Sequence, residues 1–325
     1  MVGIRAPAFL FPGQGAQYPR MALDLLETGE AEVGRLFALA SDLMGRDMGA
    51  LLTDSDAEGL MRTDIAQPAV TLANLAAAAF LRSRGILPRA VAGFSLGEYA
   101  ALAVAGIIGA ADCFALVRAR GRAMQDSADR IARENGDAAP GMAAVIGLDP
   151  RRVEELTAKW TAEGLAGLYC ANFNSPKQVV VSGTAPALAV AGERFREVGA
   201  KRVVRLSVAG PFHSPLIADA ADAFGPVLES VRFGDPRIPF YSNVSGGPVG
   251  SGEEAKRLAL RQIVSPVRWT AEEAAIAAAG VDGLLETGPG RVLQGLWRDS
   301  GLPHPCYGAG TAAEIEALGE TLAGS

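Results

Sequence analysis

The sequence predicts an α/β fold in which one large unit is interrupted by a smaller α+β unit. Near both ends of the chain, short apolar runs alternate with longer segments of helical period, which is typical of strands and helices in an α/β unit. Between residues 139 and 206 the order becomes strand, helix, strand, strand, helix, strand, which fits a ferredoxin-like unit. The length of 325 residues suits one large domain or two. We therefore predict an α/β domain over residues 1–138 and 207–325, with the α+β unit inserted at 139–206.

The large unit is predicted to begin with a buried strand that enters a tight loop. Residues 8–11 are apolar and lead into Pro12-Gly13-Gln14-Gly15, which is rich in turn formers. A helix is expected to begin near Pro68, because proline suits a first helical turn, and to end at Gly85, because glycine suits the position after a helix. The other elements predicted before the insertion are a strand at 89–93, helices at 96–105 and 111–130, and a polar linker at 134–140.

The insertion and the rest of the chain continue the alternation of strands and helices. Within the insertion we predict strands at 142–148, 168–171, 178–182 and 202–208 and helices at 151–163 and 186–198. Apolar strands at 239–242 and 283–286 then resume the pattern of the first unit. These last strands predict that the chain returns to the large domain after the insertion.

Composition excludes several classes of function. The chain has 30 Lys and Arg against 36 Asp and Glu, a formal net charge of −6, which argues against a nucleic-acid sleeve and against a polybasic membrane anchor. Apolar residues make up 49% of the chain, so a large core can form. The apolar runs fall short of the roughly 18 residues that a spanning helix needs. The turn at Pro12-Gly13 leaves no room for a secretory signal, so we expect a cytoplasmic protein without a membrane partner.

Cysteine and histidine are too scarce for a metal or disulfide framework. Cys113, Cys170 and Cys306 are widely spaced and form no CxxC pair, which fits a reducing cytoplasm. The chain contains only two histidines, His213 and His304, whereas common catalytic zinc sites use two or three imidazoles. We therefore expect neither a metal nor a cofactor.

A serine lies at the centre of a GxSxG motif. Gly93-Phe94-Ser95-Leu96-Gly97 falls between a predicted strand and a predicted helix, which is the setting of a nucleophile elbow. The free N–H groups at the start of the helix suit a developing oxyanion. The alternative is an ordinary strand-to-helix loop in which Ser95 only caps the helix.

A serine nucleophile needs a base, and His213 is the better of the two candidates. His304 lies between two prolines, in a sequence typical of a surface turn. His213 lies in a loop after the last strand of the insertion, and the order serine before histidine matches an α/β-hydrolase-like arrangement. A structural role is the more common one for a single histidine.

Several motifs together resemble a known family. In order along the chain they are Phe11-Pro12-Gly13-Gln14-Gly15-Ala16-Gln17, Ala66-Gln67-Pro68-Ala69, Gly93-Phe94-Ser95-Leu96-Gly97-Glu98-Tyr99, Phe212-His213-Ser214 and Glu286-Thr287-Gly288-Pro289-Gly290. The set resembles the malonyl-CoA:acyl carrier protein transacylases and the related acyltransferase domains of polyketide synthases. The likeness runs from Phe11 to about Leu296, and several motifs in one order are far more specific than GxSxG alone.

The resemblance implies a fold and a catalytic set. The family fold is an α/β-hydrolase-like core that carries a ferredoxin-like subdomain. By resemblance, Ser95 is the acylated nucleophile and His213 the general base. The same resemblance assigns the backbone N–H groups of Gln14 and Leu96 to the oxyanion hole, and the backbone carbonyl of Gln262 to the orientation of the histidine.

The resemblance also implies a choice of acyl group. Arg120 matches the family arginine that holds the substrate carboxylate, although the residue alone, beside Arg118 and Arg122, is more typical of a solvated helix face. Phe212 before His213 resembles the malonyl-type pattern, and its bulk would crowd an α-methyl branch. Phe94 stands where many relatives carry histidine.

The implied reaction is transfer of malonyl from malonyl-CoA to the phosphopantetheine thiol of a holo acyl carrier protein, through an acyl-serine and without a cofactor. Two other functions stay open: a hydrolytic serine enzyme of the same fold, and a catalytically silent module that binds a carrier. Arg120 argues against the first, because a hydrolase of neutral acyl groups gains nothing from that charge. Ser95 and His213 argue against the second. Fatty-acid and polyketide synthesis both fit the motifs.

Overall fold

The computed structural model of the protein describes residues 5–323, which form strands and helices in two main sheets and their cover. From the N-terminus to Asn135 the elements are β1 (Pro7–Phe11), α1 (Leu23–Glu27), α2 (Ala31–Met44), α3 (Met48–Asp54), α4 (Thr63–Ser83), β2 (Ala90–Gly93), α5 (Gly97–Val104) and α6 (Ala110–Asn135). The second sheet and its helices comprise β3 (Gly141–Ile146), α7 (Pro150–Ala162), β4 (Leu168–Ser175), β5 (Gln178–Gly183), α8 (Ala185–Glu197) and β6 (Arg202–Arg205).

The chain then returns to the first part of the molecule. The remaining elements are α9 (Ala218–Ser230), β7 (Tyr241–Ser242), β8 (Gly247–Pro248), α10 (Gly252–Arg261), α11 (Trp269–Ala277), β9 (Gly283–Glu286), α12 (Val292–Ser300), β10 (Cys306–Gly308) and α13 (Ala312–Ala323). Short 3₁₀ turns cover Gly136–Ala138, Pro215–Ile217 and Gln262–Val264. The mixed α/β fold predicted from the sequence is confirmed.

The first sheet is parallel and places three loops at one edge. Its strand order is β10-β9-β1-β2, with Phe11 opposite Gly93 and Leu10 opposite Glu286. Helices cover the sheet, and residues 8–11 of the central strand β1 are fully buried, as expected for a parallel sheet. Because parallel strands end at the same edge, the loops after β1, β2 and β9 lie next to one another.

The second sheet is antiparallel and has its own core. Its strand order is β4-β5-β3-β6, and α7 and α8 pack against it. Trp160 and Phe195 meet edge to face on the helix side, with ring centroids 4.7 Å apart. The order of strands and helices predicted for this segment is confirmed, with bounds that differ by up to four residues.

Helix α4 begins five residues before the predicted start. The sequence placed its first turn near Pro68, but the helix begins at Thr63 and Pro68 lies inside it. The Thr63 N–H donates to the Gln125 side-chain oxygen at 2.8 Å. An acceptor from α6 therefore satisfies a first-turn donor, which no local sequence signal near residue 63 could reveal.

Helix α6 also extends beyond the prediction, to Asn135, so the linker expected at 134–140 is wrong in its first residues. The Asn135 side chain donates to the Ile131 carbonyl, and Arg130 pairs with Glu134 one turn away and with Asp219 of α9. These polar contacts, one of them distant in sequence, support the last turns of the helix.

Within the described part of the chain, α4 alone has the length and apolar composition of a membrane-spanning helix, with a mean hydropathy of 1.3 over its most apolar window. However, 89% of that window is buried inside the protein, where α4 packs against α2, α5 and α6. Four buried polar residues lie along the helix: Thr63, Gln67, Thr71 and Asn74. The described packing makes α4 a core helix.

The turn between β2 and α5 depends on two glycines. A Cβ on Gly97 would overlap the carbonyl oxygen of Phe11, and a Cβ on Gly93 would overlap the backbone of Gly97. Since the obstructing atoms belong to backbone, no rotation of a side chain can relieve either overlap. The close approach of β1, β2 and α5 therefore requires glycine at both positions.

We predict that Gly97→Ala lowers the free energy of unfolding by about 3 kcal/mol, since the added methyl must displace the β1 backbone. Chemical denaturation measures this change. Gly34→Ala in α2 is the matched control, because nothing lies within 4 Å of the added Cβ and alanine favours helix by about 1 kcal/mol. Equal stability of Gly97→Ala and the unchanged protein would contradict the close packing described for the turn.

Candidate active site

Ser95 lies in the turn between β2 and α5 with an unusual backbone conformation. Its φ is +51°, in the left-handed region that non-glycine residues rarely adopt. Such a conformation persists only where the surrounding structure holds it, and it recurs at functional sites. The strand, turn and helix arrangement is that of a nucleophile elbow, which exposes the serine hydroxyl beyond the sheet edge.

His213 contacts Ser95 directly. The Ser95 Oγ lies 2.8 Å from His213 Nε2, and His213 Nδ1 lies 2.9 Å from the backbone carbonyl oxygen of Gln262. Because a carbonyl oxygen can only accept, Nδ1 carries the proton of the neutral ring and Nε2 presents its lone pair to the serine hydroxyl. The contact predicted between these two residues is therefore present.

The loop that carries His213 is fastened on both sides. Ser182 Oγ of β5 donates to the Phe212 carbonyl at 2.6 Å, and Ser214 Oγ donates to the Pro211 carbonyl at the same distance. His213 itself has a φ of +56°. The loop is thus held by β5, and the ring is oriented by the Gln262 carbonyl of the 3₁₀ turn at Gln262–Val264.

Burial keeps the His213 imidazole uncharged. Loss of solvent lowers its pKa to about 4, and the positive charge of Arg120 acts in the same direction, against the opposing effect of the hydrogen bond from Nδ1 to Gln262. At neutral pH the ring is therefore free to accept a proton from Ser95.

Gln262 joins three groups of the site through both its backbone and its side chain. Besides its carbonyl contact with His213, the side-chain Nε2 donates to the Ser95 carbonyl at 2.9 Å. The side-chain Oε1 accepts from Arg120 Nη2 at 3.0 Å. The resemblance implied only the backbone contact, and the side-chain contacts are an addition from the structure.

Arg120 points into the protein, whereas its neighbours on α6 point outward. Its residue is 1% exposed, and its guanidinium carbon lies 5.4 Å from the centre of the Tyr99 ring. Burial lowers its pKa. Arg120 Nε has no hydrogen-bond partner, and within residues 5–323 the guanidinium forms no ion pair. Arg118 and Arg122 take the solvated positions that the bare sequence favours for all three arginines.

The loop after β1 meets the elbow beside Leu96. A Cβ on Gly13 would overlap the Phe94 carbonyl oxygen and would lie 3.5 Å from the Leu96 nitrogen. Gln14 follows directly, with its side-chain Nε2 donating to Thr63 Oγ1 at 3.3 Å. Among the described residues, no group accepts a hydrogen bond from the backbone N–H of Gln14 or from that of Leu96. Within the described residues both N–H groups are therefore free to donate, and their place in an oxyanion hole stays a prediction.

The two phenylalanines of the motifs are both packed. Phe212 is 8% exposed and belongs to the main core. Phe94, beside the nucleophile, meets Trp269 edge to face with ring centroids 5.4 Å apart. An apolar contact therefore lies directly beside the nucleophile.

Sequence reasoning missed Asn243. Its Oδ1 accepts the Ser95 N–H at 2.7 Å, and its own N–H donates to Glu98 Oε2 at 2.7 Å. Glu98 stands in the quoted motif around Ser95, but its buried role was not predicted. The only local signal for Asn243 is an asparagine directly after a short apolar strand, which is common in turns.

His304 lies away from this site, in the bend before β10, where its backbone carbonyl accepts from Trp297 Nε1 at 3.0 Å. Among residues 5–323, no group of three or more His, Cys, Asp or Glu side chains is placed to hold a metal ion.

Comparison with known proteins identifies the family. Residues 8–301 match the acyl transferase domain model. The chain belongs to this acyl transferase family. It is 39% identical over 289 residues to the malonyl CoA-acyl carrier protein transacylase of Bacillus subtilis, a match that covers 89% of this chain and 88% of that protein. The predicted family resemblance is confirmed.

Two further matches come from polyketide synthesis. The polyketide biosynthesis protein ThaF of Burkholderia thailandensis is 37% identical over 318 residues, 97% of this chain and 26% of that longer protein. A solved malonyl-transacylase in complex with its holo type II polyketide synthase acyl carrier protein superposes with a TM-score of 0.88 at 36% identity, covering 97% of this chain and 99% of that one. The mixed α/β fold is thus that of solved transacylases.

We predict that Ser95 keeps its reactivity down to about pH 4, because the pKa of His213 is lowered to about that value and the neutral ring is the base. Labelling of Ser95 by a fluorophosphonate, followed by intact mass against pH, measures this. Arg120→Leu removes a positive charge and is expected to move the acid limb upward, while Arg122→Leu, whose side chain is exposed, leaves it unchanged. A limb near pH 6.5 in the unchanged protein would contradict the prediction.

Proposed function

We propose that this acyl transferase moves a malonyl group from malonyl-CoA to the phosphopantetheine thiol of an acyl carrier protein through a malonyl ester of Ser95. The observation that carries the proposal is the 2.8 Å contact between Ser95 Oγ and His213 Nε2 beside a buried arginine without an anionic partner in the described chain. Family membership supports the acyl-transfer chemistry, and relatives named malonyl-transacylases support the acyl group.

In the first half-reaction Ser95 is acylated. His213 Nε2 takes the hydroxyl proton as Oγ attacks the thioester carbonyl carbon of malonyl-CoA. The negative charge on the resulting tetrahedral oxygen is stabilised by the N–H groups of Leu96 and Gln14. Collapse of the intermediate breaks the carbon–sulfur bond, and the protonated histidine returns its proton to the CoA thiolate.

The second half-reaction runs in the opposite sense with a different thiol. His213 takes the proton of the carrier's phosphopantetheine thiol, and the sulfur attacks the malonyl-Ser95 carbonyl. The same two N–H groups receive the oxyanion. When the ester bond breaks, Oγ regains the proton from His213, and the malonyl group leaves as a thioester of the carrier. The chemistry of both steps uses groups that this chain already supplies.

Arg120 is the proposed seat of the malonyl carboxylate. A buried guanidinium without an anion is unfavourable, and a planar fork binds a carboxylate through two parallel hydrogen bonds. Arg120 Nη2 donates to the Gln262 side chain, which in turn donates to the Ser95 carbonyl, so the positive charge lies close to Ser95. The Nε of Arg120 has no hydrogen-bond partner among the described residues and is free to bind the carboxylate. Acetyl lacks the carboxylate and leaves the charge unpaired, so discrimination against it is strong. Phe212 is proposed to line the acyl side of the site and to disfavour an α-methyl branch.

We further propose the domain division predicted from the sequence, an α/β-hydrolase-like domain over 1–138 and 207–325 with a ferredoxin-like subdomain at 139–206. Residues 1–4 and 324–325 of that division lie outside the described residues. The strand order β4-β5-β3-β6, the antiparallel pairing and the separate core support the subdomain. The contact from Ser182 to the Phe212 carbonyl joins the two units at the active-site loop.

The proposed setting is the cytoplasm, with malonyl-CoA and a holo acyl carrier protein as the partners. Cys113, Cys170 and Cys306 are all free thiols, which agrees with a reducing compartment. One relative is named as a malonyl CoA-acyl carrier protein transacylase, and two others are named for polyketide synthesis. Fatty-acid synthesis and polyketide synthesis therefore both fit the site.

We predict that mixing the protein with malonyl-CoA adds one malonyl mass, that Ser95→Ala abolishes the adduct, and that holo acyl carrier protein removes it as malonyl-carrier. Intact-protein mass spectrometry measures each species. Release to free malonate without a carrier would instead show a hydrolase, and absence of an adduct on the unchanged protein would show a silent carrier-binding module.

We predict that Arg120→Leu lowers kcat/KM for malonyl-CoA by about 1000-fold and leaves acetyl transfer nearly unchanged, because only malonyl presents a carboxylate to the guanidinium. The ratio of the two values, from CoA release, is the measurement. Arg122→Leu on the same helix is the matched control and should keep the original ratio. An equal fall for both acyl groups would assign Arg120 to structure rather than to substrate choice.

A further inference from the structure

Asn243 lies at the centre of the hydrogen bonds around the elbow. It follows β7 directly and is fully buried. Its Oδ1 accepts from the Ser95 N–H at 2.7 Å and from Gln262 Nε2 at 3.3 Å. Its Nδ2 donates to the Gly93 carbonyl at 2.8 Å and to Glu272 Oε1 at 2.7 Å. Four hydrogen bonds are the full capacity of a side-chain amide.

Two of these bonds hold the strained turn where the chain enters Ser95. The Gly93 carbonyl precedes the serine, and the second bond is made by the N–H of the serine itself. A φ of +51° is unfavourable for serine, so the turn depends on contacts that hold it. The Asn243 amide supplies one donor and one acceptor to this short segment, and both belong to the same side chain.

The same amide also reaches the base through Gln262. Gln262 Nε2 is shared between the Asn243 Oδ1 and the Ser95 carbonyl, and the Gln262 backbone carbonyl holds His213 Nδ1. A shift of the asparagine would therefore move the serine and the support of the histidine together. The 2.8 Å separation between Oγ and Nε2 depends on both.

We propose that Asn243 is a positioning residue that sets the alignment of Ser95 Oγ with His213 Nε2 by holding the Ser95 N–H and the Gln262 side chain. The inference deepens the proposed function and rests on it. Asn243 does not touch the reacting atoms. It acts through the two residues that it holds.

Two buried carboxyls lie against Asn243 and restrict which side chain can stand at this position. Glu98 Oε2 accepts the Asn243 backbone N–H, and Glu272 Oε1 accepts Nδ2, both at 2.7 Å. Burial raises the pKa of Glu98 to about 7 and that of Glu272 well above its ordinary value, where the negative charge of Glu98 raises it further. The side chain at position 243 donates to Glu272 and to the Gly93 carbonyl while it accepts from Ser95, and an amide can do both at once, whereas a carboxylate can only accept.

Asn243→Asp tests the proposal with almost no change in shape. The carboxylate still accepts from Ser95, but it loses the donor to the Gly93 carbonyl and to Glu272. We expect the rate of Ser95 acylation by malonyl-CoA to fall by about 100-fold, the effect of a misplaced reacting group, while KM changes by less than about threefold. Stopped-flow CoA release gives both values, and labelling by a fluorophosphonate gives the reactivity of Ser95 without the natural substrate.

Glu272→Gln provides the rescue. When it is combined with Asn243→Asp, the new amide at position 272 can donate to the new carboxylate at position 243, so donor and acceptor exchange places in that one bond and one buried carboxyl is removed. The Gly93 carbonyl stays without its donor, so the rescue is partial. We expect the double variant to regain at least about tenfold of the lost acylation rate. If Asn243→Asp lowers the thermal unfolding midpoint but keeps its acylation rate while folded, Asn243 only supports the fold, and the proposal is wrong.

Two further variants complete the test. Asn174→Asp, at a partly buried asparagine in β4, is the matched control and should keep the original rate. If Asn243→Asp does not fold, Asn243→Ser removes the amide without adding charge and should still lose rate at unchanged KM. Acylation and fluorophosphonate labelling within about threefold of the unchanged protein by either folded variant would overturn the positioning role. Failure of the unchanged protein to acquire a malonyl mass, with normal fluorophosphonate labelling, would instead overturn the proposed function alone.

Discussion

The hydrogen bond between Ser95 and His213 is the contact on which the site depends. It joins a turn after β2 to a loop after β6, at a separation of 2.8 Å between Oγ and Nε2. Neither side is relaxed, since both residues have positive φ, so the surrounding packing must hold each of them. The Gln262 carbonyl takes the place of a carboxylate behind the histidine, which leaves the ring oriented without a neighbouring negative charge. Burial then keeps the ring neutral and able to accept a proton.

The charge of Arg120 and the hydrogen bonds of Gln262 act on the same catalytic residues. Arg120 places a positive charge in the interior, where it lowers the pKa of His213. Among the described residues the guanidinium has no ion-pair partner, and its Nε has no hydrogen-bond partner. In the proposed reaction the malonyl carboxylate would neutralise that charge, which would raise the basicity of the histidine when substrate binds. Substrate choice and activation of the nucleophile would thus be coupled through one guanidinium. Gln262 connects the two physically, since its side chain contacts Arg120 and Ser95.

The sequence predicted those residues of the site that belong to a short motif or to a rare residue type, and the structure brings Ser95 and His213 together. Ser95 was predicted by its flanking glycines, and His213 by the presence of only two histidines in the chain. Arg120 was predicted by family resemblance alone, because three arginines on one helix give no local sign of which one points inward. Asn243 and the start of α4 were missed, since each depends on a partner far away in sequence, Ser95 in one case and Gln125 in the other. Tertiary contacts of this kind leave no pattern in the surrounding residues.

The most direct test of the central claim is a crystal structure of the protein trapped with malonyl-CoA under conditions that slow deacylation. We expect continuous density from Ser95 Oγ to a malonyl carbonyl whose oxygen faces the N–H groups of Leu96 and Gln14. The malonyl carboxylate should lie within hydrogen-bond distance of the Arg120 guanidinium, with His213 Nε2 still beside the ester. Malonyl attached to any residue other than Ser95 would contradict this expectation. A malonyl carboxylate that points into solvent and makes no contact with Arg120 would contradict it as well.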